Sequence, residues 1–485
     1  MRPISIRICT SLALMCLAGL TQAQTVSERA GKAAVLAGVG EIHARMLQVN
    51  QAIWSYAEPG LDERRSSKEL MDWLRENGFS VRAGVAGMPT AFIASFGEGK
   101  PVIAYLAEYD ALLGVSQKAI PRREKRDDPA IIAGHGCGHS VYGTGTTAAA
   151  VALARVMASQ KIPGTVRLYG TPAEETVDAK TYMLRDGAFD DVDVVLSWHT
   201  NDRTGANFRY SKAVLAARFT FEGVSAHAST SPEFGRSALD AVELMNVGVN
   251  YLREHVPEDT RIHYVVTDGG DQPNVVPARA GSWYYVRADR HDAVEKVYAR
   301  IVDIARGAAL MTGTEVSIVV EGDSHEVLPN RALAHLIDEN LQAVGPPRFD
   351  EEDRAFARET QKDLGSKLDR ALFEDIDPVP AQPGQGTAST DQGDLSWHVP
   401  TGSLVVASYA FGAPGHSWQV AASTGMSIGE KAMDVAARTL ATTGFDLLTQ
   451  PELLERARES FRQVRDPLEF RSLLPKDARA PESIR

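Results

Sequence analysis

The sequence predicts an α/β protein: a mostly parallel sheet wrapped by helices, with a smaller ferredoxin-like α+β unit inserted into it. Three observations carry that prediction. Four short runs, at 101–106, 165–170, 192–198 and 403–410, are rich in Val, Leu, Ile and Ala without polar alternation, as strands buried on both faces are. Helical patterns at 41–57, 68–77 and 141–159 alternate with the early runs, and strand–helix alternation implies a parallel sheet. Between about 210 and 322 the order changes. A strand (214–222) is followed by a helix (236–254), two strands (261–266 and 279–288), a helix (292–312) and a strand (315–321), the β-α-β-β-α-β order of a compact unit.

Residues 1–23 read as a secretory signal peptide, in which Arg2 and Arg7 precede an apolar core and Thr21-Gln22-Ala23 supplies small residues at the cleavage site. The apolar stretch is shorter than the roughly 20 residues of a membrane span. The chain is therefore expected to be exported, periplasmic or secreted, with no membrane contact after cleavage. Cys9 and Cys16 leave with the leader, so Cys137 is the single thiol of the mature chain and has no internal disulfide partner. Loss of the two leader arginines moves the formal charge from −12 to −14, which argues against nucleic acid or anionic membrane as a partner. The larger domain is expected in two parts, 24–209 and 323–448, around the inserted unit at 210–322. Helix 141–159 is apolar almost all round and should be covered on every side. The tail, 449–485, is charged and carries Pro475 and Pro481, and is expected to be partly disordered.

The residues able to do chemistry cluster at strand ends, where parallel sheets bind their ligands. His135-Gly136-Cys137-Gly138-His139 opens the Ala-rich helix, and Thr171-Pro172-Ala173-Glu174-Glu175 follows the second apolar run. His199 directly follows the third run, and His416 comes six residues past the fourth. Thiolate and imidazole are the usual protein ligands of zinc and related ions. Taken singly, each histidine reads more often as structural and the Glu-Glu pair as a solvated charge pair. Taken together they offer one thiolate, two or three imidazoles and a carboxylate, more than one zinc requires and suited to two metals.

The segments His-x-Cys-Gly-His, Pro-x-Glu-Glu, Trp-His, Ser-Ala-His-Ala and Gly-His-Ser, in this order, resemble the M20 family of metallopeptidases and amidohydrolases over nearly all of residues 40–445. His135–His139 with Tyr142-Gly143-Thr144, the Gly-Arg-Ser-Ala-Leu-Asp segment at 235–240, and Ser389-Thr390-Asp391 with Gly393-Asp394 resemble, more narrowly, the p-aminobenzoyl-glutamate hydrolase branch of that family. The resemblance implies a metallohydrolase domain with an inserted lid and dimerisation domain. It implies that Cys137, His139, Glu175, His199 and His416 bind two divalent ions, zinc or manganese, and that Glu174 is the general base. Two adjacent glutamates past a strand can divide such work, one binding metal and the other taking a proton from water. His227 is the implied oxyanion donor, often supplied in this family by the lid of a partner subunit. Asn274 matches a lid asparagine near the substrate carboxylate, and Arg287 or Arg290 would pair with that carboxylate. Asp110 resembles a carboxylate that orients a metal-bound imidazole. Glu108 stands where many relatives carry a metal-binding histidine, and is left out of the ligand set. The mixed-charge stretch 122–128 reads as a solvated loop.

The leading expectation is a two-metal amidohydrolase that cleaves N-aroyl or N-acyl amino acids with a free α-carboxylate, acting as a dimer through the inserted unit. A dipeptidase or carboxypeptidase and a non-catalytic partner subunit are the alternatives. A cysteine hydrolase using Cys137 would leave Glu174, Glu175, His199 and His416 unexplained.

Overall fold

The computed structural model describes residues 29–365 and 368–481, so the expected signal peptide lies outside the described residues. Four parallel strands, Gly164–Gly170, Val102–Ala107, Val194–Asn201 and Thr401–Ala407, stand side by side in that order at the centre of a seven-stranded sheet. Antiparallel strands complete its edges, Phe92–Glu98 with Ser80–Ala83 on one side and Gly205–Asn207 on the other. The sheet is thus parallel at its core and mixed at its rim. The edge strands escaped the sequence reading because they carry no continuous apolar run.

Alternation along Val102–Ala107 explains why a buried strand reads as uniformly apolar. Ile103, Tyr105 and Ala107 enter the core beneath one helical layer, while Ala104 and Leu106 enter a separate core on the other face. The His139–Gln160 helix lies in the first layer and is buried on nearly every side, between the sheet and the Ser427–Thr449 helix. Strand 102–107 has 164–170 on one side and 194–201 on the other. The chain therefore passes first to one side and then to the other, opening a crevice at the carboxyl ends of these strands.

The inserted unit has its own sheet, ordered Arg261–Asp268, Arg279–Ala288, Ala213–Glu222 and Glu315–Ser324, antiparallel throughout. Helices Ala238–Leu252 and His291–Thr312 pack on one face around Phe219, Met245, Tyr284 and Ile301. Alternate residues of the other face, Val214 and Ala216 opposite Arg287 and Tyr285, turn towards the crevice of the larger domain.

The tail departs from expectation. Pro451–Arg465 is a helix whose Leu454 and Ala457 are buried, and the chain beyond it stays packed. Phe470 stacks on His325 with ring centroids 4.4 Å apart. Leu473 packs against the core of the inserted unit, and its neighbour Leu474 is buried in the core of the larger domain. The backbone N–H of Leu473 and the Ser472 hydroxyl both donate to Asp323. High charge does not loosen this segment, because two adjacent leucines enter two different cores. Leu474→Ala should therefore cost about 2–4 kcal/mol, as for a buried leucine, read as a lower urea or thermal unfolding midpoint; a midpoint like that of the parent would mean the tail is loose.

Candidate metal centre

Most residues of the site are delivered where a strand ends or a helix begins. Strand 102–107 runs straight into Glu108, Tyr109 and Asp110. The His139–Gln160 helix is entered through Gly138, whose φ of +82° is left-handed and whose added Cβ would lie 2.5 Å from Thr200. Only glycine fits that turn, which aims Cys137 and His139 at the same space. Ala173, Asp178 and His416 also have positive φ, and strained backbone of this kind gathers where neighbouring structure enforces it. For His416 the enforcement is visible: its N–H donates to the Gly136 carbonyl at 2.9 Å, tying it to the cysteine segment.

Two of the expected placements shift. His199 lies within strand 194–201 rather than after it, because Thr200 and Asn201 continue the pairing with Val406 and Ala407. His416 lies nine residues past its strand, which ends at Ala407.

The five expected ligands converge. Cys137 Sγ is 3.5 Å from His199 Nε2, and His416 Nε2 is 3.3 Å from Glu175 Oε2. Ligand atoms around a tetrahedral zinc, with bonds of 2.0–2.3 Å, are separated by about 3.3–3.8 Å. Cys137 with His139 and His199 forms one group able to hold an ion, and Cys137 with Glu175 and His416 a second, so the thiol is common to both. His139 Nε2 and Glu175 Oε1 are buried without a hydrogen-bond partner, 4.0 Å apart. Unpartnered buried atoms are costly, and a bound cation would satisfy both. The residues present therefore fit divalent metal.

The surrounding groups hold the ligands in ligating form. Asp110 Oδ1 lies 2.7 Å from His139 Nδ1, which leaves the Nε2 lone pair free, and Asp110 Oδ2 accepts from the Glu175 N–H at 3.0 Å. His199 Nδ1 donates to the Thr200 carbonyl at 2.9 Å. Burial pushes the pKa of His199 down, favouring neutral imidazole; His416, more exposed, is lowered by partial desolvation and by the neighbouring His139, His199 and Arg287. His135, the remaining imidazole of the motif, is buried 3.0 Å from the Ile53 carbonyl, and burial pushes its pKa down to about 3. It is a structural histidine.

Acids crowd the same space. Burial, then the charges of Glu108 and Glu175, pushes Glu174 well above the usual carboxylate range. Burial, partly offset by His139, pushes Glu175 up to about 7, and burial with Glu175 also raises Cys137. His139 is raised despite its burial, because Cys137 and Asp110 outweigh it. Bound cations reverse this logic and favour the charged carboxylates and the thiolate. Lys180, fully buried, is the fixed cation here, 2.6 Å from Asp391 and 2.8 Å from Glu108.

The crevice between the two units is a cavity of roughly 480 Å³, with Cys137, Glu174, Glu175, His199 and His416 in its walls. Arg287 enters from the lid sheet, half-buried, with its Nε unpartnered and no acid paired to it among the described residues. Arg290 is instead committed, to Glu326 at 3.1 Å and to the face of Tyr210. Of the two arginines, Arg287 is the one that faces the cavity. His227 and Asn274 lie outside the cavity wall, exposed and side by side, where the Ala228 N–H donates to the Asn274 carbonyl at 3.0 Å. The stretch 122–128 does not reach the cavity either; Arg126 lies over Trp54 and donates to the carbonyls of Trp54 and Ser55. Lys180, Asp178 and Tyr285 were missed by sequence reasoning, since an isolated lysine, aspartate or tyrosine carries no motif signal.

Comparison with known proteins fits this geometry. Residues 210–311 match the family model of the peptidase dimerisation domain. The chain is 38% identical over 458 residues to a subunit of the p-aminobenzoyl-glutamate hydrolase of Escherichia coli, across 89% of this chain and 95% of that one. It is 28% identical over 437 residues to the Xaa-Arg dipeptidase of Mus musculus, across 87% and 90% respectively. Among solved structures, the aminobenzoyl-glutamate utilization protein of Klebsiella pneumoniae superposes with a TM-score of 0.56 at 19% identity, over 84% of this chain and 97% of its own. A dinuclear metal binding peptidase of the M20 family from Bacillus subtilis gives 0.54 at 19% identity, over 84% and 99%. At that identity the structural matches speak for the fold.

Five converging donors predict about two divalent ions per chain. Elemental analysis after dialysis should find less metal in Cys137→Ser and in His199→Ala, with Cys137→Ser the poorer because both groups use the thiol; full occupancy in both variants would refute the ligand assignment.

Proposed function

The chain belongs to the M20 family and is a hydrolase acting on amides; from that premise we propose that it cleaves the amide of an N-aroyl or N-acyl amino acid bearing a free α-carboxylate. The observation that carries this reading is the opposition, across one cavity, of the Cys137–His139–Glu175–His199–His416 cluster and the unpaired guanidinium of Arg287. An arginine fork in that position suits a carboxylate. The cluster lies where the adjacent amide of such a substrate would sit.

Divalent ions bound there would polarise the scissile carbonyl and lower the pKa of a water from about 15.7 towards 7. Glu174 shares the cavity wall with these ligands. It accepts the attacking water's proton and delivers it to the leaving nitrogen, so that the amide ends as a carboxylate and an amine. Cys137, His139, Glu175, His199 and His416 hold the ions, zinc or manganese, and Asp110 fixes His139. A dipeptidase is the second reading, favoured by one observation: Asp178, in the cavity wall, has no ion-pair partner among the described residues and could meet a substrate amine. Hydrolysis of a panel of N-aroyl amino acids and dipeptides separates the two.

His227 and Asn274 lie outside the cavity wall of their own chain, so neither supplies an oxyanion donor there. The inserted unit exposes Leu244, Val247 and Tyr251 along one helix, and Val265 and Val266 on the edge strand Arg261–Asp268. An apolar face beside an open edge suits pairing with a second copy. That pairing would carry His227 to the neighbour's cavity as oxyanion donor, and Asn274 with it.

Glu174→Gln should keep its metal and lose turnover by on the order of 10²–10⁴-fold, because the amide cannot accept the proton. Near-parental turnover would mean another group is the base.

The cross-subunit role of His227 is checked by mixing two inactive variants, Glu174→Gln and His227→Ala, and reassembling them. Some dimers would then hold one site with both residues intact, and activity should partly return. Heterodimers that form but stay inactive would mean that His227 does not act across the interface.

A further inference from the structure

Glu108 is buried at the end of the central strand, and its two oxygens have different surroundings. Oε1 lies 2.8 Å from Lys180 Nζ. Asp391 holds the lysine from the other side through Nζ at 2.6 Å and through its backbone N–H at 3.0 Å. Oε2 points the other way and lies 3.1 Å from His139 Nε2. The pair is not aligned as a hydrogen bond, and both atoms are buried without a partner. Asp110 accepts from the Nδ1–H of His139, so in the neutral ring Nε2 presents a lone pair to an oxygen that also presents lone pairs. Two buried acceptors at that distance repel unless a cation lies between them. A spacing of about 3 Å is also that of neighbouring ligand atoms at right angles around an ion with bonds near 2.1 Å. Glu175 Oε1, 4.0 Å from the same nitrogen, is likewise unpartnered, and Glu108, His139 and Glu174 form a third group within ligating reach.

We propose that Glu108 is a ligand of the divalent ion held by His139, binding through Oε2 while Lys180 anchors Oε1. This deepens the two-ion reading and rests on it. The extra carboxylate gives that ion four protein donors, Cys137, His139, His199 and Glu108, against the three of the second ion, Cys137, Glu175 and His416. The two positions should then differ in affinity, and loss of Glu108 should weaken the His139 position selectively.

Cobalt tests this without reference to turnover, because visible absorption of bound Co²⁺ strengthens as its coordination number falls. The parent chain, stripped of metal and titrated with Co²⁺, should take up two ions. Glu108→Gln should bind one of the two at least tenfold more weakly, with stronger visible bands and an unchanged charge-transfer band from Cys137. Glu108→Asp keeps the charge beside Lys180 but shortens the reach, so it should fold even if Glu108→Gln does not, and should show the same weakening. Two ions in the parent with unchanged affinity and spectrum in a folded variant would overturn the role of Glu108 alone. No ion in the parent would overturn the two-ion reading beneath it.

Discussion

The arrangement depends on an excess of negative charge in a small dry space. Glu108, Asp110, Glu174, Glu175, Asp391 and the Cys137 thiol share a region in which Lys180 is the fixed cation. Burying one unpaired carboxylate costs several kcal/mol, so this many could not persist as anions unaided. The raised pKa values of Glu174 and Glu175 are the visible form of that cost. The fold tolerates the crowding because every contributor sits at a strand end or helix start, where rigid elements hold it, and because ions would relieve it.

The second unit turns the cluster from a metal trap into a cavity. Its sheet offers a bare face rather than a helical one, so alternate residues such as Tyr285 and Arg287 project towards the ligands while their neighbours build a separate core. The unit is tied back to the larger domain at more than its two chain crossings. His291 and His325 stack at 3.9 Å between Asp323 and Asp394, with Phe470 over one ring. Any closing motion of the lid must move this seam or turn about it.

Much of this was legible in the sequence, for identifiable reasons. The central strands could be read because both faces are covered, and the inserted unit because its elements alternate regularly. The ligands could be read because Cys137, His139, Glu174 and Glu175 stand at a helix start or strand end, His199 closes an apolar run, and His416 lies in a Gly-His-Ser segment. The failures are just as physical. His135 and His139 look alike in sequence, and only the carbonyl of Ile53, a distant residue, makes one structural. Arg287 and Arg290 are told apart by Glu326 and Tyr210, which claim the second. Lys180 is buried by charges that arrive from 108 and 391, which no local pattern reveals. The tail read as loose because composition records its charge and not the separate destinations of Leu473 and Leu474.

The ligands are spread from Cys137 to His416 along the chain, and the inserted unit folds between them. A growing or partly refolded chain can hold the cysteine, His139 and His199 early, yet the second position is incomplete until the last central strand has docked and carried His416 over the Gly136 carbonyl. Such long-range closure is slow compared with helix formation. Any metal held at the second position would therefore await the docking of the last central strand, so that its capture would be coupled to a late stage of folding.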